Sequence, residues 1–192
     1  MDIQSRASKI KLLLMDVDGV LTDGKLYNVP DHEGKMAETK GFDSRDGIGL
    51  QWMNWKGIKT GVISGRLSPA TAERARQCKM TYVYQGHIEK IPILEEILAD
   101  AKIDPSEVAY VGDDLTDVVI MHRVGFAVAT ANARPEVKRE AHYITAARGG
   151  DGAVREVVEL ILKAKNLWRE ILAHYEIRDE ATLPPDTARL GA

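Results

Sequence analysis

The chain has 192 residues, 44% hydrophobic and 29% charged, a composition that excludes a disordered or fibrous protein and suffices for a real core. Its 26 Lys and Arg against 29 Asp and Glu give a formal net charge of −3, too small and of the wrong sign for general nucleic-acid binding. A single cysteine, Cys78, excludes an internal disulfide; within the helical-looking "TAERARQCKM" it reads as a packed thiol rather than a nucleophile.

Taken in chain order, basic residues precede the apolar run "IKLLLMDV" (10–17), but Asp16 breaks that run well before a signal-peptide or membrane-spanning length. The expectation is a cytoplasmic protein without membrane or nucleic-acid partners. Further continuous apolar runs follow at "KTGVIS" (59–64), "TYVYQG" (81–86), "VAYVGD" (108–113) and "GFAVA" (125–129), with a weaker one at "HYIT" (142–145). Continuous rather than alternating apolar character predicts strands covered on both faces. Helix starts lie between them at Ser68-Pro69, Pro92 and Pro135. The order therefore predicts an α/β fold, a doubly wound parallel sheet of Rossmann-like type.

Two segments break this rhythm. Residues 24–42 carry turn chemistry at Pro30-Asp31 and Glu33-Gly34 between short mixed arms, which predicts a β-hairpin projecting from the first strand. "GAVREVVELILKAKNLWREILAHYEI" predicts one long amphipathic helix, kinked near Asn166. The expected organisation is one domain over residues 1–176 with a flexible tail at 177–192, where Pro-Pro and little apolar content end the pattern.

In such a sheet, ligands sit at the carboxyl ends of the strands. Those ends hold Asp16 and Asp18, then Ser64-Gly65-Arg66, then Asp113-Asp114 with Asp117, while Lys90 follows the third strand of the main series. Several carboxylates in one cleft are costly without a divalent cation, and an all-oxygen ligand set points to Mg²⁺. Lys90 and the hydroxyl and amide of Ser64-Gly65 suit the oxygens of a phosphoryl group. Asp16 at the strand tip is placed to attack phosphorus, and Asp18 to serve as acid and then base. A calcium loop starting at Asp16 is excluded, because Gly19 is fourth rather than sixth and Tyr27 stands where the twelfth-position Glu belongs.

"DVDGVLTDG", "ISGR", Lys90 in "YQGHIEK" and "GDDLTD" together resemble, in order, the four motifs of the haloacid-dehalogenase-like phosphatases. "FDSRDGIGL", "YQG", "VAYVGDDLTD" and "RGGDGAVREV" resemble its small capless branch acting on 3-deoxy-D-manno-octulosonate 8-phosphate, a step of lipopolysaccharide precursor synthesis. The resemblance implies that Asp16 is nucleophile and metal ligand, that Asp18 is acid/base and lends the metal its carbonyl, and that Asp113 is the remaining ligand. Asp114 and Asp117 would stand behind these, with Asp117 on the helix face of Asp113, orienting ligands or Lys90. Homotetramers in which hairpins assemble and a neighbour closes each site are implied too.

An acidic sugar needs a partner for its carboxylate, and a planar guanidinium suits it. Arg66 is the first choice and Arg45 the second, with Arg148 and Arg155 as further candidates. Two rivals remain open: a phosphatase of a nine-carbon keto-deoxy sugar 9-phosphate or another small ester, disfavoured by Arg66, and a phospho-acceptor module, disfavoured by the hydrolytic base Asp18.

Overall fold

The computed structural model describes residues 2–178. In chain order it contains α1 (Ile3–Ser8), β1 (Leu12–Met15), β2 (Tyr27–Pro30), β3 (Met36–Thr39), α2 (Ser44–Trp55), β4 (Lys59–Ser64), α3 (Pro69–Gln77), β5 (Tyr82–Gln85) and α4 (Ile91–Ala101). Then come β6 (Val108–Gly112), α5 (Leu115–Met121), β7 (Phe126–Ala129), α6 (Pro135–Glu140), β8 (Tyr143–Ile144), α7 (Ala153–Ala164) and α8 (Trp168–His174). Six strands form one sheet in the order β5-β4-β1-β6-β7-β8, every neighbouring pair parallel. The strand order reverses beside β1, which puts the ends of β1, β4 and β6 around a common crevice.

The all-buried β1 shows why the apolar runs are continuous. Leu13 and Met15 face a core with Leu50, Met53, Val158 and Ile161, while Leu12 and Leu14 face another with Leu94, Ile97 and Ile120. Alternate side chains of one strand thus serve opposite helical layers. Cys78 is fully buried in the first core, and burial pushes its thiol pKa up, as befits a packed side chain.

The hairpin forms as expected, β2 against β3 with Asn28 opposite Glu38. Residues 25–37 are exposed; Glu38 and Lys40 alone turn partly inward between 25 and 41. No cap domain is evident among the described residues.

One expectation requires correction, and one helix was not read from the sequence. The C-terminal pattern is two helices rather than one kinked helix, because Asn166 adopts a left-handed φ of 59° and Leu167 N–H closes back on the Leu162 carbonyl at 2.8 Å. The reversal carries Trp168 to 5.6 Å from Trp52 between ring centroids and lets Trp52 Nε1 donate to Tyr175 Oη at 3.1 Å. Within "FDSRDGIGL" begins α2, which the strand rhythm did not reveal since two glycines lower its helix propensity. Of the predicted tail, Ile177 and Arg178 are described and residues 179–192 lie outside the described residues.

One contact ties α2 to α7. Gly152 stands at the N-cap of α7 with no side chain to offer, and Asp46 of α2 supplies the missing acceptor, taking Arg155 N–H on Oδ1 at 2.7 Å. The other oxygen is buried without a hydrogen bond, and burial raises this carboxyl to a pKa of about 6. Between about 3.8 and about 6 the folded chain keeps a proton that the unfolded chain has released. The resulting stabilisation is present in acid and lost as pH rises through about 6. Asp46→Asn keeps the acceptor without the charge. In urea unfolding at pH 5 and pH 8, wild type should lose on the order of 1 kcal/mol more stability across the interval than Asp46→Asn.

Candidate active site

At the carboxyl edge of the sheet lies a cavity of about 300 Å³ lined by Asp16, Asp18, Ser64, Gly65, Arg66, Lys90, Asp113 and Asp114, with Gly24, Ile88 and Thr116 at its rim. Four separate segments of chain meet there. Asp16 follows β1 directly and stays in register, its N–H donating to the Val111 carbonyl at 3.0 Å. After it the chain turns tightly, the Val17 carbonyl accepting from Leu21 N–H and Thr22 N–H, both at 3.0 Å. Asp18 therefore lies on a turn rather than in extended strand, and the turn itself brings it to the same cavity as Asp16.

Gly19 in that turn has φ of 91°, and a Cβ there would overlap the Asp113 carboxylate, so glycine is required twice over. The turn is clamped from outside. Asn132 donates Nδ2–H to the Gly19 carbonyl at 2.9 Å and accepts Gly149 N–H on Oδ1 at 2.6 Å, while Gly150 N–H donates to the Val20 carbonyl at 3.0 Å. A side chain at Gly149 would collide with the Gly19 carbonyl. The "RGGDG" stretch thus lies against the turn that carries Asp18.

Lys90 is the centre of the charge arrangement. Its side chain is 2% exposed, and Nζ lies 2.7 Å from Asp117 Oδ1, 3.1 Å from Tyr110 Oη and 3.1 Å from Asp16 Oδ1. Three ammonium protons thus have three protein acceptors. Tyr110 Oη in turn donates to Asp117 Oδ1 at 2.7 Å. Burial pulls the Lys90 pKa down, yet the Asp117 and Asp16 carboxylates outweigh it and hold it above the ordinary lysine value. Burial pushes the Tyr110 phenol well above its usual range, so it stays a protonated donor.

Asp117 sits at the third position of α5, and Asp113 precedes the N-cap Asp114. The two are not on one helix face, as the four-residue spacing suggested, because the helix starts only after Asp114. Instead Asp117 Oδ2 turns back to accept Asp113 N–H at 2.9 Å and Asp114 N–H at 3.1 Å. Asp114 itself caps the helix, taking Leu115 N–H at 2.7 Å.

Oxygens of Asp16, Asp113 and Asp117 lie within 4.8 Å of one another. Both oxygens of Asp117 are occupied as described, whereas Asp113 Oδ1 is buried without a hydrogen bond. Burial first, then the neighbouring Asp117, Asp16 and Asp114, raise Asp113 to a pKa of about 8. Burial, opposed by Lys90 and reinforced by Asp117, raises Asp16 to about 6. An orphaned carboxylate oxygen beside a second carboxylate is what a hard divalent cation relieves, so the residues present fit Mg²⁺. Asp16 and Asp113 are the side chains free to hold it.

The structure brings Ser64, Gly65 and Arg66 into the cavity. Ser64 is buried, its Oγ accepting Arg66 N–H at 3.2 Å. Arg45 is not brought there; its guanidinium pairs with Asp43 at 2.6 Å and Asp151 at 2.8 Å at the start of α2. Arg155 instead lies 3.9 Å over the Trp52 ring, and Arg148 is not among the lining residues. Sequence reading missed Tyr110, Asn132, Glu38 and Lys40. Tyr110 looks like one more apolar core residue of a strand, and the hairpin pair carries no motif.

The sequence of residues 55–157 matches the model of the haloacid dehalogenase-like hydrolases. The chain is 42% identical over 165 residues to the 3-deoxy-D-manno-octulosonate 8-phosphate phosphatase of Yersinia pestis, covering 86% of each. Its structure resembles that of the Moraxella catarrhalis phosphatase of the same name in complex with magnesium, phosphate and the sugar acid, with a TM-score of 0.84, 39% identity, and coverage of 90% of this chain and 97% of that one. A cobalt-bound Haemophilus influenzae counterpart gives a TM-score of 0.77 at 33% identity, covering 84% and 92%.

Cation binding here must expel the proton that Asp113, raised to about 8, retains at neutral pH. The Mg²⁺-induced rise in melting temperature should therefore grow from pH 6.5 to pH 8.5. Thermal melts with and without Mg²⁺ should show this trend in wild type and a much smaller, flatter response in Asp113→Asn.

Proposed function

The chain belongs to the haloacid dehalogenase-like hydrolases and, within them, to the 3-deoxy-D-manno-octulosonate 8-phosphate phosphatases, and from that premise we propose how its residues carry out the reaction. It is a Mg²⁺-dependent phosphoric monoester hydrolase that converts 3-deoxy-D-manno-octulosonate 8-phosphate to the free sugar acid and phosphate. The observation that carries the assignment of roles is the buried Lys90, held against Asp16 while Asp113 keeps an unpaired oxygen beside them.

Asp16 is the nucleophile. With a pKa of about 6 it is largely ionised at neutral pH, and Lys90 at 3.1 Å fixes the carboxylate's orientation. One carboxylate oxygen bonds to phosphorus as the phosphorus–sugar oxygen bond breaks, and the departing alcohol takes a proton from Asp18, which, ion-paired with Lys40 at rest, picks that proton up from solvent as substrate binds. Asp18 then takes a proton from the water that attacks the aspartyl-phosphate, which restores Asp16 and releases inorganic phosphate. Ser64 Oγ and the Gly65 amide hold the phosphoryl oxygens. Asp16, Asp113 and the Asp18 carbonyl would hold Mg²⁺, which when bound would supply positive charge to the transferring phosphoryl group. Lys90 acts on Asp16 more than on phosphate, since its protons already have protein acceptors; Asp117 and Tyr110 lock it in place. Arg66 receives the sugar carboxylate.

The hairpin exposes Leu26, Tyr27, Val29 and Met36, an apolar surface unusual for a free projecting arm. This supports assembly with further copies of the chain, the homotetramer expected of this branch, with a neighbour excluding water from the cavity. No helix among the described residues is long and apolar enough to cross a membrane.

Phosphate release from the eight-carbon ester should exceed that from a nine-carbon keto-deoxy sugar 9-phosphate by orders of magnitude in kcat/KM and require Mg²⁺. Asp16→Asn should lower it at least about a thousandfold. Preference for the nine-carbon ester would refute the assignment of Arg66. By light scattering the wild-type protein should have the mass of a tetramer, and Val29→Glu with Met36→Glu should give smaller species; a wild-type monomer would refute the assembly.

A further inference from the structure

The hairpin meets the cavity through a closed ring of charges. Glu38 pairs with Arg66 Nη2, its other oxygen stands 3.3 Å from Lys40 Nζ, Lys40 pairs with Asp18 Oδ1, and Arg66 Nε lies 3.9 Å from Asp18 Oδ2. Lys40 is 1% exposed at its side chain, while the Arg66 side chain is 48% exposed. The buried partner of the ring is therefore fixed, and the arginine is open to an arriving ligand.

Resting on the reading of Arg66 as the carboxylate-binding residue, we propose that Glu38 is a resident stand-in for the substrate's carboxylate, which displaces it from Arg66, and that this exchange sets the preference for acidic sugar phosphates.

Glu38 engages the guanidinium through one nitrogen and one oxygen. Its second oxygen is buried and, although near Lys40, is not aligned for a hydrogen bond. A sugar carboxylate arriving along the open guanidinium can make the paired, two-pronged contact that Glu38 does not. Two carboxylates with Asp18 close by cannot share Arg66 without repulsion, so Glu38 yields its place and keeps Lys40 as counter-ion. An ester lacking a carboxylate has nothing to exchange and leaves Arg66 paired. Arg66 also holds the Glu38 carboxyl below its ordinary pKa, so the stand-in is an anion at neutral pH. Discrimination thus comes from a competitor built into the chain as well as from the attraction of the arginine.

The test compares Mg²⁺-loaded wild type, Glu38→Gln, Arg66→Ala and the double variant on the eight-carbon acidic ester and on p-nitrophenyl phosphate, which has no carboxylate. Inhibition by the free sugar acid is measured in parallel. Removing the competitor should lower KM for the acidic ester and the inhibition constant of the sugar acid by about tenfold relative to any change on p-nitrophenyl phosphate. In the Arg66→Ala background the same substitution should have no such selective effect. A rise in KM for the acidic ester, an equal change on both esters, or a selective effect that persists without Arg66 would overturn the proposal. If Arg66→Ala alone left the acidic-to-neutral KM ratio unchanged, the reading of Arg66 would fail instead.

Discussion

Everything at the carboxyl edge of this sheet depends on one buried cation, Lys90, placed among acids that would otherwise repel one another. Its ammonium joins Asp16 and Asp117 and accepts the company of a phenol that has no solvent contact. Asp117, satisfied on both oxygens, ceases to be a free ligand and becomes a brace. Asp113 receives no comparable relief, and its raised pKa is the local record of that deficit. The site is thus divided by hydrogen bonding alone into carboxylates that support and carboxylates that are left to bind.

The fold was readable because parallel strands covered on both faces must be apolar throughout, a pattern few other elements of that length show. The site was readable for the same reason in reverse: acids and hydroxyls at the ends of such strands have no structural excuse. What escaped was set by tertiary contact. Tyr110 reads as core because its hydroxyl becomes meaningful only once Lys90 arrives from a different segment. Asp46 caps a helix some hundred residues away, which no local window can detect. Asn166 ends a helix by its own left-handed backbone, where sequence offered an asparagine that helices also tolerate. Arg45 was attractive by motif and is instead spent on Asp43 and Asp151.

The hairpin shows how charge can position an element that has little apolar attachment to the body. Its exposed residues include Tyr27, Val29 and Met36, while Glu38 and Lys40 pair with Arg66 and Asp18 of the cavity lining. The hairpin therefore carries two kinds of recognition, exposed apolar side chains and an ionic link to the body. The ionic side ends on Asp18, the residue proposed to handle the proton, so the projecting arm touches the proposed reacting group directly.

The clamp of Asn132 and Gly149 on Gly19 bears on how the molecule comes into being at the ribosome. The turn bearing Asp18 emerges well ahead of its lock, which is supplied by residues well over a hundred positions later. Nascent β1 can find β4 long before that lock exists, and until then the turn carrying Asp18 is not held from outside. Synthesis of most of the chain is thus completed before the reaction centre acquires its working shape, and a product truncated ahead of the glycine pair would retain much of the sheet without a set catalytic turn.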